Sequence, residues 1–478
     1  MICRGMFPQF RGTRYIPSVR DLVRKSPWYF ALAALAAIAL RLFFILRFPA
    51  VTDDSRVYAN IAKTWLDHGI YGITTATGIV PTYIRLPGYP AFLAAVFSVF
   101  GRDHFRAVLL IQLVVDVGTC FVVADLTRRL LGERAAKAAF LLTAICPFLA
   151  NYAGAALTET LEVFFTAAAL DFAIMGLAQE THNRLRPWIF CGLALAANIL
   201  LRPDGGLLLV AIELYLIVSL ARAKPLQAKV RTFAAACVVA AVTLAPLVPW
   251  TLRNLRTLHR FQPLAPRYAN APEDFVPLGF NRWVKTWMAN YVSVEEIYWS
   301  EPGEKIDSAK LPARAFDSLA QKQLTEDLLA AYNEDTEVGP ELDAQFADLA
   351  QQRVRESRLR YYFRLPALRI ADMWMRPRTE LLPADPRWWE FTDDTKWLAL
   401  SVGLGAVNLI YVVLAAAGFF RGTRVQPLGL LVVFLLVRSL FLGTLENPEA
   451  RYTLECYPVV ILFASVFLAS LWPKTSVS

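Results

Sequence analysis

The chain has 478 residues, of which 56% are hydrophobic and only 19% charged, with a mean hydropathy of +0.40. A soluble domain carries about 45–50% apolar and roughly 25% charged residues, so an ordinary soluble enzyme is excluded, and 31 Phe, 12 Trp and 17 Tyr exclude a disordered chain. The formal charge of +9 does not signal nucleic acid, because the cytoplasmic loops of a membrane protein collect Lys and Arg.

In chain order, residues 1–26 form a basic segment with Arg4, Arg11, Arg14, Arg20, Arg24 and Lys25, expected in the cytoplasm. Apolar runs long enough for a hydrocarbon core of roughly 30 Å then fall at 27–46, 105–126, 135–152, 156–178, 187–201, 206–221, 231–250, 396–420, 425–443 and 453–472. The first follows a basic stretch and has no A-x-A cleavage site, so it reads as a retained signal anchor. The stretch 86–100, opening with Pro87-Gly88-Tyr89-Pro90, is shorter. It is read as interfacial or re-entrant, which leaves the basic connectors Arg128–Lys137, Arg184–Arg186, Arg222–Arg231 and Arg421–Arg424 all inside. The expected fold class is an all-α polytopic bundle of about 10–11 transmembrane helices, with interfacial helices and a mostly helical external segment. The transmembrane core covers 27–252 and the C-terminal helices 396–478.

Two external regions result. The first, 48–104, begins with Asp53-Asp54, followed by Val57, Tyr58, Ile61, Ala62, Trp65 and Leu66 on one side of a short helix, which either acid could cap. The second, 253–395, far exceeds the ~12–15 residues of a plain loop and should have its own structure. Within it, Phe280, Trp283, Trp287 and Tyr291 recur at helical spacing, predicting a helix on the membrane surface. Nine carboxylates between Asp317 and Asp348 face Lys322 alone, followed by Arg353, Arg355, Arg358, Arg360, Arg364 and Arg369. Broken at Gly339-Pro340, this predicts a helical hairpin with an acidic arm in water and a basic arm returning to the headgroups. Trp283, Trp287, Trp299, Trp374, Trp388 and Trp389 read as an interfacial belt rather than a sugar-stacking set.

Six segments bring charge to the outer plane: Asp53-Asp54, Arg85, Thr158-Glu159, Arg202-Pro203-Asp204, Pro249 to Asn254, and Glu449 to Tyr452. Arginines beside spans on that side run against the positive-inside bias, so several together call for an anionic partner, although one alone can snorkel to headgroups. A carboxylate there can take the proton of an attacking hydroxyl. A guanidinium can stabilise a departing phosphate, since Arg pairs bidentately with its oxygens.

The run Asp53 to Gly72, the Arg85-Leu86-Pro87-Gly88-Tyr89-Pro90 turn, Thr158-Glu159, the Pro249-Trp250…Arg253-Asn254 closure and Arg451-Tyr452 together resemble the GT-C class of integral-membrane glycosyltransferases. The branch resembled contains RgtA/B/C/D-like transferases, protein O-mannosyltransferases and lipid A aminoarabinose transferases. The resemblance implies a polyprenyl-phosphate-linked sugar donor, an external active site, inversion at the anomeric carbon, and an essential Asp in the first external loop, here Asp53 or Asp54. Asp53 is favoured as base with Asp54 as supporter or alternate. Arg85, Arg202, Arg253 and Arg451 are candidate phosphate ligands, Glu159 a sugar or acceptor ligand, and Arg56 and Tyr452 complete the expected substrate-binding set. The acceptor is expected to be a lipid, a glycan or a protein, in a prokaryotic inner membrane, with the active site on the periplasmic side. No metal, cofactor or nucleic acid is expected.

A transporter or lipid-linked-sugar flippase is the alternative, because Asp116, Asp171 and Glu213 fall inside spans, where carboxylates mark functional sites unless paired, for example with Arg41 or Arg438. The absence of self-similar halves weighs against it.

Overall fold

A computed structural model describes residues 19–178, 185–271, 274–299, 305–334, 338–390, 394–422 and 428–472. Arg4, Arg11, Arg14, Arg184, Asp335, Glu337 and Arg424 lie outside the described residues. The chain divides into two units, one formed by Met1–Ala271, Ile410–Val437 and Leu454–Ser478, the other by Pro272–Leu409 and Arg438–Thr453.

Each apolar run forms helix, as it must where no water can satisfy the backbone. Among the described residues seven helices are long and apolar enough to cross a membrane: Pro27–Arg47, Phe105–Leu131, Glu159–Ala178, Pro203–Arg222, Leu226–Leu258, Thr395–Arg421 and Ala450–Leu471. The run 135–152 is a pair, Glu133–Ala144 and Pro147–Ala153, bent by 51°. Pro147 lacks the amide hydrogen that would continue the first helix. The runs 187–201 and 425–443 are the shorter helices Arg186–Leu201 and Leu428–Gly443. At 1.5 Å per residue a 16-residue helix covers about 24 Å, less than the hydrocarbon core, so among the described residues seven helices, or eight counting the bent pair as one span, pass by length and composition. The protein is an all-α, multi-pass membrane protein.

In the first unit Glu159–Ala178 packs on Arg186–Leu201 and on Phe105–Leu131, and Tyr457–Leu471 packs on Glu133–Ala144. The region after the first span is ordered rather than loop-like. Asp53–His68 packs on Gly88–Phe100, and between them Gly72–Thr75 pairs antiparallel with Gly78–Pro81. Gly88–Phe100 has 13 residues, about 20 Å, too short to cross alone. Its first residue must be glycine, because a Cβ there would meet the Leu200 carbonyl at 2.6 Å. That contact seats the helix directly on the end of Arg186–Leu201.

The second unit corrects two expectations. The aromatic stripe is covered by protein rather than lipid: Phe280 and Trp283 lie on the helix Leu278–Lys285, Trp287 just past its end, and Trp283 and Trp287 are fully buried with Phe280, Phe346, Leu328 and Leu349. The unit contains a protein partner for the stripe, the helix Pro340–Glu356, so burial against it replaces burial in lipid. The acidic hairpin is present as Leu319–Glu334 and Pro340–Glu356. Its basic end does not return whole to headgroups, however. Arg353 is buried and donates to Thr286 Oγ1 (2.9 Å) and the Arg314 carbonyl (2.9 Å). Arg369 is buried and donates to the Met288 (2.9 Å) and Gly443 (3.2 Å) carbonyls. A guanidinium carries five donors, and carbonyls left open by irregular turns use them.

Candidate active site

The helix Asp53–His68 starts with a capping box. Thr52 Oγ1 accepts from the Ser55 amide at 3.4 Å, and Ser55 Oγ accepts from the Thr52 amide at 3.0 Å. Thr52 therefore caps the helix, and the expectation that Asp53 or Asp54 would do so is corrected. Both carboxylates occupy the first turn, where the helix dipole favours negative charge.

The two then differ. The Asp53 side chain is 86% exposed and meets Arg56 at 2.9 Å, one turn on and itself 72% exposed. Asp54 is 35% exposed and accepts from Arg85 Nη2 at 2.7 Å. Arg85 also lies over the Tyr58 ring, 5.5 Å from its centroid. Below it stands a buried column: Tyr58 meets Tyr89 edge-on at 5.1 Å, Tyr89 donates to Gln112 Oε1 at 2.8 Å, and Gln112 donates to the Ala155 carbonyl at 2.7 Å. Burial pushes the Tyr58 phenol up to about 12, so it stays protonated at neutral pH; Arg85, Asp54, Arg202 and Glu159 all act on it electrostatically.

Those last two residues form the second half of the cluster. Glu159 opens its helix, and Arg202 lies in extended backbone just after Leu201. Arg202 Nη1 is 3.4 Å from Glu159 Oε1, and its Nε is 3.7 Å from Glu162 and 3.2 Å from Asp204. Below them Asn198 donates to Thr166 Oγ1 at 2.9 Å, and Thr166 donates to Glu455 at 3.4 Å. Glu159, Glu162 and Glu455 are all nearly fully buried. Glu162 and Glu455 were missed in the sequence. Glu162 carried one signal, its place three residues after Glu159 on the same helical face.

Arg253 is differently engaged. It donates through Nη1 to the Thr82 carbonyl at 2.6 Å and through Nη2 to the Tyr71 carbonyl, with Tyr71 and Trp250 against its faces. Tyr71 in turn donates to the Arg85 carbonyl at 2.9 Å. Arg253 thus clamps both ends of the hairpin that delivers Arg85. Arg451 and Tyr452 belong to the second unit, where both contact Glu449, Tyr452 through its hydroxyl. Asn447 donates to Glu449 at 3.1 Å, and Arg438 donates to the Tyr452 carbonyl at 2.9 Å.

Two of the three intramembrane acids are paired elsewhere, while Glu213, on Gly206–Arg222, keeps a buried carboxylate oxygen with no hydrogen-bond partner among the described residues. Asp116 meets Arg41 at 2.7 Å with both side chains buried, and Arg41 also donates to the Thr143 carbonyl at 3.0 Å. Asp171 meets Arg129 at 2.8 Å.

Residues 81–250, which carry Arg85, Glu159 and Arg202, match the family model described as dolichyl-phosphate-mannose-protein mannosyltransferase. Two solved structures of an oligosaccharyltransferase from Archaeoglobus fulgidus share the architecture over 94% of this chain. One is AglB in complex with an inhibitory peptide and a dolichol-phosphate (TM-score 0.51, 13% identity); the other is tethered to an acceptor peptide (TM-score 0.53, 14% identity). The chain has the GT-C fold. It spans 50% of the length of each oligosaccharyltransferase chain. ArnT from Cupriavidus metallidurans bound to undecaprenyl phosphate is similar at TM-score 0.41 and 14% identity, over 93% of this chain and 78% of that one. No curated protein sequence matches the chain.

Proposed function

We propose that this GT-C protein is a glycosyltransferase that moves a sugar from a polyprenyl-phosphate-linked donor to a lipid, glycan or protein acceptor, with inversion, on the periplasmic face of a prokaryotic inner membrane. The observation that carries the reading is the Asp54–Arg85 pair, held on the Tyr58 column beside Arg202 and Glu159. The match to a mannosyltransferase family model and the likeness to a dolichol-phosphate-bound oligosaccharyltransferase support it.

In this reading Asp54 accepts the proton of the acceptor hydroxyl as its oxygen attacks the anomeric carbon. The bond from that carbon to the phosphate oxygen breaks on the opposite face, and the lipid phosphate leaves with the bonding electron pair. Arg85, largely shielded from water, stabilises the charge developing on it as a preorganised donor does, and the exposed Arg56 adds a weaker, solvent-screened attraction. Glu159 orients sugar or acceptor hydroxyls, and Arg202 restrains Glu159. Asp53, more exposed and paired with Arg56, supports rather than reacts. Arg253 acts by positioning Arg85.

A transporter or flippase is not favoured by the mannosyltransferase family match and the oligosaccharyltransferase likeness, and two of the three acids that suggested it, Asp116 and Asp171, are each satisfied by an arginine. The test is sugar transfer from polyprenyl-phosphate-linked donors in proteoliposomes, with release of polyprenyl phosphate followed beside solute uptake on the same preparation. Transfer without uptake is expected; uptake without transfer from any donor overturns the reading.

A further inference from the structure

The second unit contains a cavity of about 240 Å³ that shares no lining residue with the Asp54 cluster. Asn290, Ser293, Lys310, Leu311, Arg387 and Trp389 are among the residues that line it. We propose that it is a binding subsite for one uncharged sugar ring, and that the ring belongs to a glycan on the acceptor. The acceptor role rests on the transferase reading above; the sugar site does not.

Size sets the first limit. Pockets for drug-sized ligands run to about 300–1,000 Å³, so this one admits a single ring and not an oligosaccharide. Charge sets the second. Arg387 donates Nε and Nη2 to the two oxygens of Glu296 at 2.7 and 2.8 Å, and Nη1 to Glu390 at 3.0 Å. Its charge is balanced by those two carboxylates, and Asp385, which accepts from the Arg387 amide at 2.7 Å, offsets Lys310 and leaves the local sum negative. A phosphate would have to break the Arg387 pairs or rest on one exposed lysine, whereas a neutral polyol needs neither.

Shape sets the third. Trp389 is 46% exposed and is held edge-on to Trp388 at 5.6 Å, so a flat apolar face is presented at little cost in freedom. Asn290 Oδ1 accepts from the Ser293 amide at 3.2 Å. This fixes the orientation of the side chain and leaves the amide nitrogen outside that bond. An aromatic plate and an oriented side-chain amide lining one pocket match a ring with C–H bonds on one face and hydroxyls on its rim.

The experiment is saturation-transfer NMR on the full chain in lipid nanodiscs, with methyl α-mannopyranoside, methyl β-glucopyranoside and methyl β-galactopyranoside as probes. Ring-proton saturation is expected for at least one probe. It should fall about five-fold in Trp389→Ala, persist in Trp389→Phe and Lys310→Ala, and resist excess inorganic phosphate. No saturation from any probe, equal saturation in Trp389→Ala, or displacement by phosphate overturns the proposal. Asp54→Asn is measured in parallel and should keep the Trp389-dependent signal while losing transfer. Saturation without transfer in the unaltered protein removes the acceptor role and leaves the sugar site; transfer without saturation removes the site and leaves the transferase.

Discussion

Arg85 hydrogen-bonds Asp54 at 2.7 Å, while Asp53, the next residue back, points 86% exposed toward Arg56. One helical step separates a carboxylate held beside a buried aromatic column from one standing in solvent. A base must be positioned as well as ionised, so the two acids should differ sharply when tested. Asp54→Asn should lower kcat by about 10²–10⁴-fold, the usual worth of general-base catalysis. Asp53→Asn should cost less than about ten-fold, through the loosened Arg56 alone. Release of polyprenyl phosphate in proteoliposomes measures both. A larger loss in Asp53→Asn would place the base at Asp53, and equal losses would remove the assignment to Asp54 alone.

How much of this was legible follows from range. Asp53, Asp54 and Arg85 were all singled out because each flanks an apolar run and position along the chain suggests depth, but the sequence favoured Asp53 and gave no sign that Asp54 is the acid that meets Arg85. The capping role of Thr52 was missed because Asp53 and Asp54 are equally good caps by composition, and only backbone geometry places the helix start one residue earlier. Trp283 and Trp287 show the correct period, but a period does not say whether lipid or Phe346 covers the stripe. Arg253 is opaque for the same reason: its acceptors, the Tyr71 and Thr82 carbonyls, lie more than 170 residues away.

That long reach makes Arg253 a second test. Lys keeps the charge but not the fork that serves two carbonyls at once. Arg253→Lys should therefore free the Gly72–Pro81 hairpin, seen as faster proteolysis within 72–82, and lower kcat through misplaced Arg85. Were Arg253 a direct phosphate ligand instead, KM for the donor would rise while proteolysis stayed unchanged.

Arg41 and Asp116 separate structure from transport. Both are buried, so removing one leaves an uncompensated charge, at a cost of about 3–5 kcal/mol. Asp116→Ala should lower the melting temperature in detergent markedly. The joint change Arg41→Met with Asp116→Leu should recover most of it, because apolar groups of similar volume replace such pairs with little penalty. Transfer per folded molecule should stay near the unaltered value in the double variant; its loss there would give the pair a direct functional role.

Asp317 supplies a pH test of the second unit. Burial would raise its carboxyl, but the hydrogen bond from Arg360 and the charge of Arg353, 3.3 Å away, outweigh burial and hold it below the usual range. The folded value thus lies below the ~3.9 of an unfolded chain. The stability this contributes is complete above pH ~4 and is lost as pH falls through the folded value, since protonation then favours unfolding. Asp317→Asn should melt earlier than the unaltered protein at pH ~6, and the gap should close as the pH is lowered below ~4. A gap that stayed constant across this window would show that the carboxylate charge contributes nothing to holding Arg353 and Arg360 against the hairpin.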